Sequence, residues 1–229
     1  QLDLPLPSNH GCLPQPASIR LVLNIAGILL IIIGLTMVGL DYYQAQQEKN
    51  QIANEIASWN SLPISGDDET PADTLGSNNT LDLDQNAIWG TIQIPDLSVT
   101  APISITKGDW TLLRKYVVPF EGADLPSVKN GTFSLASHWG NSNCAYCYFR
   151  NIKSLKVGSQ ITIADRDSTY TYEVYEAPKV IDYTDTSDLK RISGQTTLMM
   201  VTCVTAKDPR RTVVLARLVS STPKTATTN

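Results

Sequence analysis

Residues 21–40 read LVLNIAGILLIIIGLTMVGL, twenty positions without a charged side chain, bounded by Arg20 and Asp41. As an α-helix rising about 1.5 Å per residue, this run is ~30 Å long, the hydrocarbon thickness of a bilayer. A core helix of a water-soluble domain would carry a polar face, and this run has none. A signal-peptide apolar region is shorter, about 7–15 residues, and Tyr42-Tyr43-Gln44-Ala45-Gln46 offers no small-x-small cleavage site. The segment is therefore read as an uncleaved, single-pass signal-anchor over 19–41 in the cell membrane. The thin flanking charges, Arg20 before the span and Asp41 after it, favour the N-terminus inside. The rest of the chain is then expected outside the cell.

Around this anchor the sequence divides by composition. Residues 1–18 form a Pro-rich polar tail, and 42–86 a helical extension followed by a flexible linker. In the extension, Ile52, Ile56 and Trp59 recur at helical spacing. The linker is rich in Pro, Gly, Ser, Asn and Asp. Residues 87–220 read as one β-rich domain, and 221–229 as a second tail. Strand-like runs fall at 88–94, 99–105, 131–136, 160–163, 169–181, 196–203 and 212–219. Helical candidates are 109–116 and a turn near 149–155. Many short strands at this spacing predict a mainly β fold, a closed or nearly closed barrel. With 42% hydrophobic and 17% charged residues the chain is not disordered as a whole. A net charge of -4 and scattered Lys and Arg exclude a nucleic-acid partner.

The chemistry-bearing residues are few. The chain has two histidines, His10 and His138, and four cysteines, Cys12, Cys144, Cys147 and Cys203. His138 follows a strand-like run (Leu135-Ala136-Ser137), and Cys203 closes another, Thr197-Leu198-Met199-Met200-Val201-Thr202-Cys203. Arg211 comes eight positions later, opening the next strand; if the two strands pair antiparallel, Cys203 and Arg211 lie close. A free thiol, with an ordinary pKa of about 8.5, needs a neighbouring cation to act as a nucleophile at neutral pH. An imidazole can protonate a leaving amine. A guanidinium can stabilise an oxyanion. Spacing alone leaves bland readings beside this one, a small buried thiol and a surface arginine.

Several motifs in order resemble the sortase family over roughly residues 88–219. Ile88-Trp89-Gly90-Thr91-Ile92-Gln93-Ile94-Pro95 is similar to its opening strand, and Ser137-His138 to its histidine segment. The run from Tyr148 through Phe149, Ile152 and Leu155 to Gly158 resembles the segment after that histidine. Thr197 to Cys203 resembles the strand ending in Thr-Cys, and Arg211 with Val213, Val214 and Ala216 the arginine strand. The resemblance implies a sortase-like closed β-barrel with a few short helices, preceded by a transmembrane helix. It implies a cysteine transpeptidase with Cys203, His138 and Arg211 as catalytic residues, and Thr202 lining the pocket or oxyanion site. Cys203 would cleave a sorting signal similar to Leu-Pro-x-Thr-Gly through a thioacyl intermediate. An amine from a cell-wall precursor or a pilin lysine would resolve it, anchoring surface proteins. Arg210 rivals Arg211, and the hydrophobic strand that follows favours Arg211. A sortase-fold peptidase that mainly hydrolyses and a non-catalytic peptide-binding surface module are the alternatives. No Asp-Pro-aromatic lid motif occurs in 60–86, which points to a general anchoring role.

Cys144 and Cys147 form a C-x-x-C pair that reads as a local disulfide or as two free thiols. No cofactor and no metal are expected. No second cysteine pair or ligand histidine lies nearby to complete a zinc site, and Asp182, Asp185 and Asp188 lack EF-hand spacing. His10-Gly11-Cys12 mimics the core of another cell-wall enzyme class, the L,D-transpeptidases. Its tail is too short to build that fold, and the match is read as coincidence.

Overall fold

The computed structural model describes residues 17–61, 88–140, 144–184, 194–205 and 207–224. His10, Cys12, Asp185, Asp188, most of the two tails and the linker after Ser61 lie outside the described residues. The chain divides into two units, Gln1–Gln44 and Ala45–Asn229. One helix, α1 (Ala17–Asn60), carries the apolar run and is long and apolar enough to cross a membrane. In the second unit its last turns bury Ile52, Ile56 and Trp59, and Ile52 and Ile56 belong to the main core. Lys115 fixes this turn by pairing with Glu55 at 2.5 Å.

The strands are β1 (Ile88–Ile94), β2 (Val99–Ser104), β3 (Val118–Pro119), β4 (Thr132–Ala136), β5 (Gln160–Ala164), β6 (Ser168–Val174), β7 (Lys179–Ile181), β8 (Thr197–Cys203) and β9 (Arg211–Pro223). They form one sheet in the order β2-β1-β5-β6-β9-β8-β4-β3, with β7 also paired to β9. Ile103 bridges to Val117 just before β3, which brings the two ends of the sheet together and nearly closes the barrel. Closure leaves few unpaired edges. The mainly β, barrel-like fold expected from the strand pattern is the fold observed.

Three local expectations need correction. The run 169–181 is not one strand. It breaks at 175–178 before resuming as β7, because Pro178 has no N–H for the ladder. The helical candidate 109–116 is a shorter 3₁₀ turn, Trp110–Arg114, while the turn expected near 149–155 is present as the 3₁₀ turn Ile152–Ser154. The first is capped by Asp109, whose carboxylate accepts the Thr111 N–H at 3.0 Å. The two-residue β3 was not foreseen.

Side-chain alternation sorts the core into layers. Phe133, Leu135, Leu198, Met200, Val214 and Ala216 fill the main core with Ile92, Ile163 and Tyr172. Their alternates Met199, Val201, Val213 and Leu215 form a second apolar cluster with Ile181 of β7. β8 is buried on both faces for this reason, and reads as a continuous apolar run.

Candidate active site

Two strand pairings define the site. β8 and β9 are antiparallel, with Cys203 opposite Arg211. β4 and β8 are parallel, with Ala136 opposite Val201. The last rung of the parallel ladder is closed by the Ser137 N–H, which donates to the Val201 carbonyl at 3.3 Å. The Thr202 hydroxyl donates to the Ser137 carbonyl at 2.9 Å. These two bonds set Ser137, the residue before His138, against Val201 and Thr202 at the Cys203 end of β8. Alternation puts Cys203 and Arg211 on the face of Val201 and Val213. Cys203 and Arg211 thus share one sheet end on the face of the second apolar cluster, and His138 follows the segment whose Ser137 carbonyl meets Thr202. Cys203 is a free, half-buried thiol, Arg211 is half-buried and His138 is exposed.

The two arginines differ sharply. Arg210 is exposed and closed on Asp208, with Nη2 to Oδ2 at 2.7 Å and Nε to Oδ1 at 3.0 Å. Hydrogen bonds from the Arg210 side chain and backbone lower the Asp208 pKa to about 2. The pair is therefore intact above the ordinary carboxylate range and is lost only as pH falls through about 2. Arg211 makes no salt bridge among the described residues. Its Nη1 donates to the carbonyls of Pro209 (2.6 Å) and Arg210 (3.2 Å).

Thr202 is buried, and its hydroxyl proton is engaged by Ser137. Cys144 and Cys147 are joined by a disulfide in the loop after His138. Among the described residues no group of His, Cys, Asp or Glu is placed to hold a metal ion. Asp182 accepts the N–H and hydroxyl of Thr184 within its own turn. Sequence reasoning missed two contributors. Asp208, two positions before Arg210, was the available signal for which arginine is sequestered. Ile181 supplies apolar floor, but its strand had been merged with β6.

With this geometry in hand, the comparisons are specific. The sortase domain model matches residues 92–219. The chain belongs to the sortase family. Sortases are cysteine transpeptidases that act on surface proteins, and this chain is an enzyme of that kind. It is 24% identical over 211 residues to sortase A of Bacillus anthracis, covering 89% of this chain and 97% of that protein. It is 26% identical to sortase A of Streptococcus agalactiae, over 83% of this chain and 82% of that one. Among solved structures, a Clostridium perfringens sortase D5 transpeptidase shares 29% identity at a TM-score of 0.50, over 58% of this chain and 79% of that one. Sortase C1 of Streptococcus agalactiae shares the fold at a TM-score of 0.56 and 24% identity, over 75% of this chain and 89% of that one.

Proposed function

We propose that this sortase cleaves a sorting signal similar to Leu-Pro-x-Thr-Gly and transfers the acyl part to an amine, with Cys203 as nucleophile, His138 as general acid and Arg211 as oxyanion stabiliser. The observation that supports this reading is the pairing of Cys203 with Arg211, together with the Thr202–Ser137 bond that ties the residue before Cys203 to the residue before His138. In the first step the Cys203 thiolate attacks the Thr carbonyl and a C–S bond forms. The C–N bond to Gly breaks, and the imidazolium of His138 gives its proton to the leaving amine. In the second step an acceptor amine attacks the thioester, losing a proton to His138, and the thiolate is released. Developing negative charge on the carbonyl oxygen falls to the Arg211 guanidinium, a donor class worth about 10²–10³ in rate in other acyl-transfer sites.

The same reading has residues 21–40 crossing the membrane once, with the barrel outside the cell. The acceptor is then a cell-wall precursor or a pilin lysine met at the outer face, and the substrates are surface proteins carrying the signal. Fluorogenic Leu-Pro-x-Thr-Gly peptides, incubated with the chain with and without triglycine, test the reaction. Cleavage that gains a triglycine-linked product and disappears in C203A supports transfer. A product that remains the free acid at saturating triglycine replaces it with hydrolysis.

A further inference from the structure

The segment that delivers His138 ends in a covalent loop. Gly140 lies two residues after the histidine, and a Cβ built on it would land on Cys147 Sγ and 3.1 Å from the Cβ atoms of Cys144 and Cys147. The disulfide thus packs directly on the backbone that leaves His138. On its inner side the loop is held by the core, where Ala145 and Tyr146 pack and Tyr148 and Phe149 are buried. The Ser137 hydroxyl reaches the Tyr146 carbonyl through a long hydrogen bond of 3.5 Å. On the other side Cys144, Ala145 and Cys147 face a cavity of about 500 Å³, shared with Ile52 and Ile56 of α1.

We infer that the Cys144–Cys147 disulfide is a positioning element for the sortase reaction, bracing the Gly140 backbone so that His138 is held in place for reaction at Cys203. This rests on the proposed role of His138. An exposed imidazole has no burial to fix it, and an error of about 1 Å in a reacting group can cost ~10²-fold in rate. The bridge acts through the histidine and does not touch substrate.

The test uses the full chain carrying H10Q, in which His138 gives the sole imidazole C–H resonances. Peptide-cleavage kcat and KM are measured with that resonance for the parent, C144A/C147A, G140A and H138A. The expected result for C144A/C147A is a kcat about tenfold lower with KM within about twofold, and a shifted or broadened His138 signal. G140A in the disulfide-bonded chain should do the same, because its methyl displaces the sulfur. In the C144A/C147A background it should add less than about twofold. A kcat within about twofold of the parent, or a lower kcat with an unmoved His138 signal, overturns the inference. If C144A/C147A shows no cooperative unfolding, G140A alone decides by the same two readouts. Parent-like kcat in H138A would instead defeat the site reading itself. An inactive H138A beside a parent-like C144A/C147A defeats only the role of the disulfide.

Discussion

Thr202→Val isolates the bond that ties the cysteine strand to the histidine segment. Thr202 and Ser137 are both buried, and the hydroxyl-to-carbonyl bond between them is 2.9 Å. Valine keeps the branched shape and removes the donor. A buried carbonyl left without its partner costs ~1–3 kcal/mol. For a folded unit of this size each 1 kcal/mol lowers the melting temperature by about 2–4 °C, so a fall of about 2–12 °C is expected. Because Ser137 precedes His138, kcat should fall as well. Thr202→Ser separates the two effects. It loses a methyl group worth ~1 kcal/mol of burial but keeps the hydroxyl, so it should melt lower while retaining kcat. Thermal unfolding and peptide-cleavage kinetics on the three proteins make the comparison. A Val variant that melts with the parent and turns over at its rate would refute the reasoning.

Arg211→Ala should lower kcat by about 10²-fold or more, while Arg210→Ala keeps most activity because its charge is already spent on Asp208; cleavage kinetics showing the reverse order would exchange their roles. Without reductant, alkylation followed by peptide mass spectrometry should label Cys203 but neither Cys144 nor Cys147; labelling of all three would show the pair to be free thiols. Gly90→Ala should destabilise the fold by ~1–3 kcal/mol, since its methyl would meet the Ala164 carbonyl oxygen at 2.5 Å across β1 and β5; chemical denaturation reads this directly. Ile52→Ala should cost ~2–5 kcal/mol, as expected of a side chain in the main core rather than on a free helix; an unchanged denaturation midpoint would detach α1 from the core.

The strands were legible where local pattern determines them. The run 88–94 matches β1, and 196–203 misses β8 by one residue, because apolar β-branched and alternating residues bounded by turns describe a half- or fully buried strand. What local pattern does not encode is partnership. That β4 runs parallel to β8, while β9 returns antiparallel beside it, depends on contacts between residues far apart in the chain. This non-local pairing is what sets Ser137 against Thr202, the residues just before His138 and Cys203. The Cys203–Arg211 pair was closer to legible, since a short connection between consecutive strands implies an antiparallel return. β7 was hidden by a continuous β-forming composition that only Pro178 interrupts, and β3 was too short to leave a periodic signal. The strand that follows favours Arg211 over Arg210 from the sequence alone, whereas the closure of Arg210 on Asp208 is a side-chain contact that emerges only in the fold.

The account stands or falls on whether the Cys203 sulfur becomes acylated. Intact-mass and peptide-resolved spectra of the chain, quenched in acid during turnover of a sorting-signal peptide without added amine, address this directly. The account predicts an adduct equal to the peptide's N-terminal fragment ending in Thr, located on Cys203, released by hydroxylamine and accumulating less when triglycine is supplied. Peptide cleavage that continues with Cys203 replaced by alanine, or an adduct on any other residue, would contradict it.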